Sequence, residues 1–237
     1  MNRRLQLILQ SLRRGTTGGG LGDWLLNSLG PPCGFLAGRR LSRNEVVGEF
    51  REIEIKGVPG VLYVEPQVPL RSLYQTLTEQ CYPWQWHYYQ VPETRVTPDD
   101  YVIDCGSAEG LFPMLTRSVA REIVCFEPLP EFVRGLNRTF GSDPNVKVVP
   151  SALGDSPGSA YLMRSGISSS ITPDVTDTPV TMDTIDAYCE RTSFPLSYLK
   201  ADMEGYEMHV LHGASRTIAR LRPKIAITTY HEPGHAD

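Results

Sequence analysis

The chain has 237 residues, 41% hydrophobic and 21% charged, which suits one α/β domain with a sizeable core and an N-terminal extension. A formal charge of −4 gives no basic footprint for nucleic acid, and no run approaches the roughly 18 apolar residues of a membrane span. The cysteines Cys33, Cys81, Cys105, Cys125 and Cys189 are odd in number and lack C-x-x-C spacing, which excludes a disulfide framework or zinc ribbon and reads as reduced thiols in a cytoplasmic protein.

In chain order, Met1 to Gln10 reads as a short amphipathic helix, its apolar stretch broken by glutamine and without a signal-peptide cleavage site. Residues 15–44, with Gly18-Gly19-Gly20 and Pro31-Pro32, read as a mobile or loosely packed segment. Alternation over Phe50 to Ile55, a turn at Lys56 to Gly60 and then Val61 to Val64 predict a β-hairpin. Ser72 to Gln80 can be helical, and an aromatic cluster spans Pro83 to Tyr89. From Asp100, strands are predicted near 101–105, 122–127, 146–150, 197–202 and 224–230, with helices near 110–120, 130–140, 182–191 and 206–220. Such alternation means βαβ units and a doubly wound, mostly parallel, Rossmann-like sheet. Between Ser151 and Pro179 the pattern lapses, and Ser165 to Ser170 reads as a loop near the site. The division expected is 1–92 as extension and 93–237 as a cofactor-binding domain. Only six residues follow His231, so the antiparallel pair that normally ends such a sheet has no room, and the sheet edge is expected to be truncated.

The turn after the first core strand, Asp104-Cys105-Gly106-Ser107-Ala108-Glu109-Gly110, carries the chemistry. Glycines there let a ligand approach backbone, and Glu127, ending the next strand, falls about 20 residues on, where an acidic residue reaches a ribose diol. The pattern is D-x-G-x-x-x-G, not the dinucleotide G-x-G-x-x-G. A lining of Asp104, Glu109, Glu127, Asp202 and Glu204 repels a diphosphate and suits a cation. S-adenosylmethionine, with a sulfonium and an ammonium against one carboxylate, fits: Asp104 or Glu109 would take the ammonium and Glu127 the ribose. An NAD-dependent oxidoreductase is disfavoured by the same glycine pattern and acidic lining.

Asp104-Cys105-Gly106 with Glu109-Gly110, Cys125-Phe126-Glu127-Pro128 and Leu199-Lys200-Ala201-Asp202-Met203-Glu204-Gly205-Tyr206-Glu207 resemble the motifs of FkbM-type methyltransferases. The resemblance runs from about Trp86 onward, and K-x-D-x-E-G-x-E is its most specific part. Ser107-Ala108 stands where that family often has Ala-Asn. The resemblance implies a class I fold, S-adenosylmethionine as cofactor, and O-methylation of a small hydroxylated acceptor, commonly a sugar or natural product. A protein of this fold that binds cofactor without catalysing transfer is the alternative.

Ligands of a parallel sheet bind outside the carboxyl ends of its strands. The polar sets expected there are Asp104 to Gly110, Glu127, Ser151-Ala152, Asp202 to Glu207 and Tyr230-His231. Any one of the acids alone can be a helix cap or surface strand end; five sets on one rim argue for a site. Cofactor contacts are expected from Asp104, Gly106, Ser107, Glu109, Gly110, Glu127, Ser151 and Ala152. His231 is the first candidate for the base that deprotonates the acceptor, with Asp202 and Glu204 as rivals. His87 either lines the acceptor pocket or packs in the core, and His209 and His212 are expected on the surface. Ser168 to Ser170 can bond the cofactor's carboxylate. Asp202, Glu204 and His231 can also ligate a divalent metal, but an acidic surround for a cationic cofactor accounts for them without one.

Overall fold

A computed structural model describes residues 30–85, 87–163, 170–172, 179–203 and 205–228. The first ten residues, Trp86, Ser168, Ser169, Glu204, Tyr230 and His231, on which expectations above fall, lie outside the described residues.

The core is a five-stranded parallel sheet of β4 (Tyr101–Cys105), β5 (Glu122–Phe126), β6 (Val146–Val149), β11 (Tyr198–Ala201) and β12 (Lys224–Ile227), in the order β12-β11-β4-β5-β6. The chain starts in the middle at β4, winds outward through β5 and β6, then returns to build β11 and β12 on the other side. The direction of winding therefore reverses between β4 and β11, and that is where a doubly wound sheet opens a crevice at its strand ends.

Alternate strand residues point to opposite faces. Val102, Ile123, Cys125 and Tyr198 join one apolar cluster with helices α3 (Leu111–Thr116) and α4 (Pro130–Phe140). Ile103, Cys105, Val124, Phe126 and Leu199 join a second with α5 (Ile185–Thr192) and α6 (Glu207–His212). Helix α4 buries Phe132, Leu136 and Phe140, one residue per turn, and Gly135 on that face lets it lie on the backbone of Tyr63, whose oxygen would stand 2.6 Å from an added Cβ.

The predicted hairpin is present as β2 (Phe50–Ile55) and β3 (Leu62–Val64), paired antiparallel. With α2 (Leu70–Cys81) it contributes Ile53, Leu62, Val64, Leu73 and Leu77 to the first cluster, so this unit covers the α3/α4 face of the sheet.

Several boundaries differ from expectation. The described part of 15–44 is ordered: Cys33–Arg40 forms α1, and β1 (Leu41–Val47) pairs with β2. β1 is an edge strand whose burial does not alternate cleanly, so its sequence carries no period-2 signal. The lapse after Ser151 conceals a second sheet of β7 (Ala152–Leu153), β8 (Gly158–Met163), β9 (Ser170–Thr172) and β10 (Pro179–Asp183), ordered β7-β10-β8-β9. Helix α3 stops at Thr116 instead of 120, because the chain must turn for the amides of Arg121 and Glu122 to donate to Asp100 O. The predicted helix 206–220 is two, α6 and α7 (Ser215–Leu221). They part at Gly213, whose Cα lies so close to Gly154 that an added Cβ would fall 1.9 Å from that residue's oxygen.

No described helix is long and apolar enough to cross a membrane.

Candidate active site at the switch point

The turn after β4 is built from left-handed residues. Gly106, Ala108 and Gly110 hold φ of 71°, 45° and 83°. The amides of Gly106 and Ser107 both donate to Phe126 O, at 3.0 and 3.2 Å, which ties the turn to the end of β5. Ser107 Oγ donates back to Asp104 O at 3.1 Å. A Cβ on Gly106 would stand 2.4 Å from Asp202 O, and one on Gly110 2.6 Å from Leu136. Glycine at these two positions therefore meets both a dihedral and a space requirement. Ala108 accepts the same conformation at a cost of about 1 kcal/mol, the kind of strain that collects at functional sites.

Carboxylates surround this turn. Asp104 is fully buried, and in the β4–β11 register its cross-strand partner is Lys200. The Lys200 Nζ approaches Asp104 Oδ1 to 2.9 Å but directs its hydrogen bonds to Gly106 O at 2.9 Å and Cys105 O at 3.5 Å. Both Asp104 oxygens are thus beside a charge yet receive no directed hydrogen bond among the described residues, and neither does Glu109 Oε1. At 2.9 Å the two charges attract strongly whatever the bond angle. Burial works to lower the Lys200 ammonium, but Asp104 and Asp202 outweigh it and hold it above its usual range. Burial raises the Glu109 carboxyl.

Glu127 is buried and accepts two backbone hydrogen bonds, from Ala108 N at 2.8 Å and Leu129 N at 2.9 Å. It thereby links the two strand-end turns. Burial pushes its carboxyl up to about 7, against those two bonds, with Glu109 and Asp104 adding to the rise.

At the end of β11, Asp202 accepts from Tyr89 Oη at 2.8 Å and from Thr228 Oγ1 at 3.2 Å. Glu207 accepts from the amides of Met203 and Gly205 at 2.9 and 3.0 Å. Thr228 Oγ1 also lies 3.0 Å from Glu207 Oε1, so its one proton serves one acid at a time.

The fold thus brings Asp104, Gly106, Ser107, Glu109, Gly110, Glu127 and Asp202 together at the carboxyl ends of β4, β5 and β11. Ser151 stands at the end of β6 with its hydroxyl 3.0 Å from both Ala152 O and Thr181 O, where it joins the two sheets. Ala152 opens β7. His209 is partly exposed, as expected, and is paired with Asp155 at 2.7 Å. Sequence reasoning missed Lys200, Tyr89 and Thr228 as site residues. Lys200 had a signal, since a lysine in an otherwise apolar strand needs a buried counter-charge.

A pH dependence follows. Glu127 has a folded pKa above its unfolded value, so the fold favours its protonated form. Its cost is absent below about 4.5, grows as pH rises toward 7 and is complete above it. Full ionisation costs roughly 3 kcal/mol. His87, also raised, contributes stability that is present below about 6.5 and is lost as pH rises above it. Urea denaturation should therefore show more stability at pH 5.5 than at pH 8. Glu127→Gln should remove most of that difference; an unchanged difference would contradict the assignment.

The buried Glu109 oxygen, without a hydrogen-bond partner among the described residues, fits a cationic ligand, and the glycine turn fits one that approaches backbone. Residues 104–237 match the family described as the methyltransferase FkbM domain. Among solved structures, the methyltransferase FkbM from Methylobacillus flagellatus is 19% identical with a TM-score of 0.44, covering 89% of this chain. The chain spans about half of that structure, 51% of its length. No curated protein matches. The match covers the β4 turn, the Glu127 strand end and the whole Lys200 to Glu207 run, and over more than half its length the chain belongs to the FkbM methyltransferase family.

Proposed function

We propose that the chain is an S-adenosylmethionine-dependent methyltransferase acting on a hydroxyl of a small molecule, sugar or natural product. The observation that carries this is the buried acidic cluster at the ends of β4 and β11, where Glu109 Oε1 has no hydrogen-bond partner among the described residues. In this reading Glu109, with Asp104 behind it, takes the ligand's ammonium. Glu127 takes the ribose diol with lone pairs beyond those its two amides use, and the backbone from Gly106 to Gly110 lies against the ligand. Ser151 and Ala152 border it at the end of β6. The bound cofactor supplies an electrophilic methyl on a sulfonium. The chain's task is to hold an acceptor oxygen in line with it and to accept that oxygen's proton, a base contribution of about 10² to 10⁴-fold. His231, Asp202 and Glu204 are the base candidates, of which Asp202 lies at the end of β11. Residues 93–237 form the cofactor domain, 1–92 the extension, and the free cysteines suit the cytoplasm.

Glu109→Ala and Glu127→Ala should each weaken S-adenosylmethionine binding by about tenfold or more, equivalent to roughly 1.4 kcal/mol. Far-ultraviolet circular dichroism would confirm that each variant is folded. Normal affinity in both folded variants would remove the acidic lining as the cofactor's recognition element.

A further inference from the structure

A side chain of the extension reaches the acidic cluster at the strand ends. Tyr89, in the segment that leads from α2 to β4, is buried, and its Oη donates to Asp202 Oδ2 at 2.8 Å. The rest of the residue is held against β11 and α3. Its backbone oxygen accepts from Tyr198 Oη at 3.1 Å and from Thr94 Oγ1 at 2.8 Å. Its ring meets Phe112 of α3 edge-on with 5.8 Å between centres, and Lys200 Nζ stands 5.6 Å from the ring centre. Packing on several sides fixes the ring and with it the direction of the hydroxyl.

Asp202 borders the glycine turn. Its backbone oxygen would lie 2.4 Å from a Cβ on Gly106, and its charge acts on both Lys200 and Glu109. A carboxylate there favours a cationic ligand over a neutral one of the same shape, provided that it stays ionised and in place. Thr228 is a looser hold on it than Tyr89, because that contact is 3.2 Å and the one hydroxyl proton also serves Glu207. A hydrogen bond to a carboxylate favours its charged form, so the Tyr89 hydroxyl supports both the charge and the orientation of Asp202. Packing against Phe112 and Lys200 needs only the ring, which phenylalanine would provide equally.

We infer that Tyr89 is a positioning residue of the cofactor site: its hydroxyl holds the Asp202 carboxylate beside the glycine turn, so that the N-terminal extension sets the site's preference for the charged methyl donor over its neutral-sulfur product. This rests on the methyltransferase reading above. S-adenosylmethionine and S-adenosylhomocysteine share the nucleoside, the ammonium and the carboxylate, and differ by one methyl group and one positive charge on sulfur. In that reading the ammonium lies at Glu109 and the ribose at Glu127. The sulfur, which stands between the two in the molecule, then falls against the turn that Asp202 borders. A site that prefers the charged form releases the product once transfer has removed the charge.

The test is calorimetric titration of both ligands into the full chain, into Tyr89→Phe and into a control, Tyr82→Phe, which removes a hydroxyl that bonds Leu36 O at 3.0 Å within the extension. Circular dichroism would confirm that each variant is folded. Tyr89→Phe should lower the ratio of S-adenosylmethionine to S-adenosylhomocysteine affinity by about threefold to tenfold, and Tyr82→Phe should leave it unchanged. Asp202→Asn should lower the ratio at least as far, and adding Tyr89→Phe to it should lower it no further, because a residue that acts through another is not additive with it. An unchanged ratio in Tyr89→Phe, equal weakening of both ligands included, would leave the tyrosine a structural role and overturn the inference while the cofactor reading stood. An unchanged ratio in Asp202→Asn, a further fall in the double variant, or an equal fall in Tyr82→Phe would overturn it too. If neither ligand binds the parent chain, the cofactor reading itself fails and the inference falls with it.

Discussion

Lys200→Met should destabilise the protein by about 3–5 kcal/mol, the cost of breaking a buried ion pair from one side. Lys200 is 3% exposed and is the cross-strand neighbour of Asp104, which has no exposure at all. Methionine fills a similar volume but leaves the Asp104 charge with no adjacent cation, and it releases the carbonyl of Gly106 that Lys200 holds at 2.9 Å. That loss is a large share of a typical domain stability of about 5–15 kcal/mol. Guanidinium denaturation would read it as a shift in midpoint. Adding Asp104→Asn to Lys200→Met should restore at least about 1 kcal/mol, because the lone buried charge is then gone. A single variant within about 1 kcal/mol of the parent would show that the pair is not the electrostatic centre of the crevice.

Gly106→Ala should cost about 2–4 kcal/mol and abolish measurable cofactor binding. Two effects add. At φ of 71° an L side chain is strained, and the new Cβ would lie 2.4 Å from Asp202 O, a backbone atom that moves only if the end of β11 moves. The distance between the two strand ends sets the crevice, so relief of the clash opens the site. Gly158→Ala is the control: nothing lies within 4 Å of its added Cβ, and its φ is not left-handed. It should change stability by no more than about 0.5 kcal/mol. Equal stability and equal S-adenosylmethionine affinity in the two variants would contradict the close-packed turn.

What was legible in the sequence follows from burial. β4, β5 and β11 are covered on both faces, so they read as mainly apolar runs such as Ile123 to Phe126, and their carboxyl ends placed Asp104, Glu127 and Asp202 on one rim. β1 and β8 lie in smaller sheets and mix serine, glycine or charge with apolar residues, so neither period nor composition marks them. The break at Gly213 arises from contact with Gly154, far off in sequence and invisible to helical periodicity. The same holds within the site. Lys200 stood in the quoted motif, but its pairing with Asp104 needs the β4–β11 register. Tyr89 and Thr228 reach Asp202 only through the fold.

The most direct test of the central claim is titration calorimetry of the full chain with S-adenosylmethionine, S-adenosylhomocysteine and NADH, in two buffers of different protonation enthalpy near pH 6.5. Saturable binding of the first two and none of NADH is the expected result. Binding should release protons, because a cation beside the raised carboxyls of Glu109 and Glu127 favours their ionised forms. Binding of NADH without S-adenosylmethionine, or of none of the three, would contradict the assignment of the crevice between β4 and β11 as a methyl-donor site.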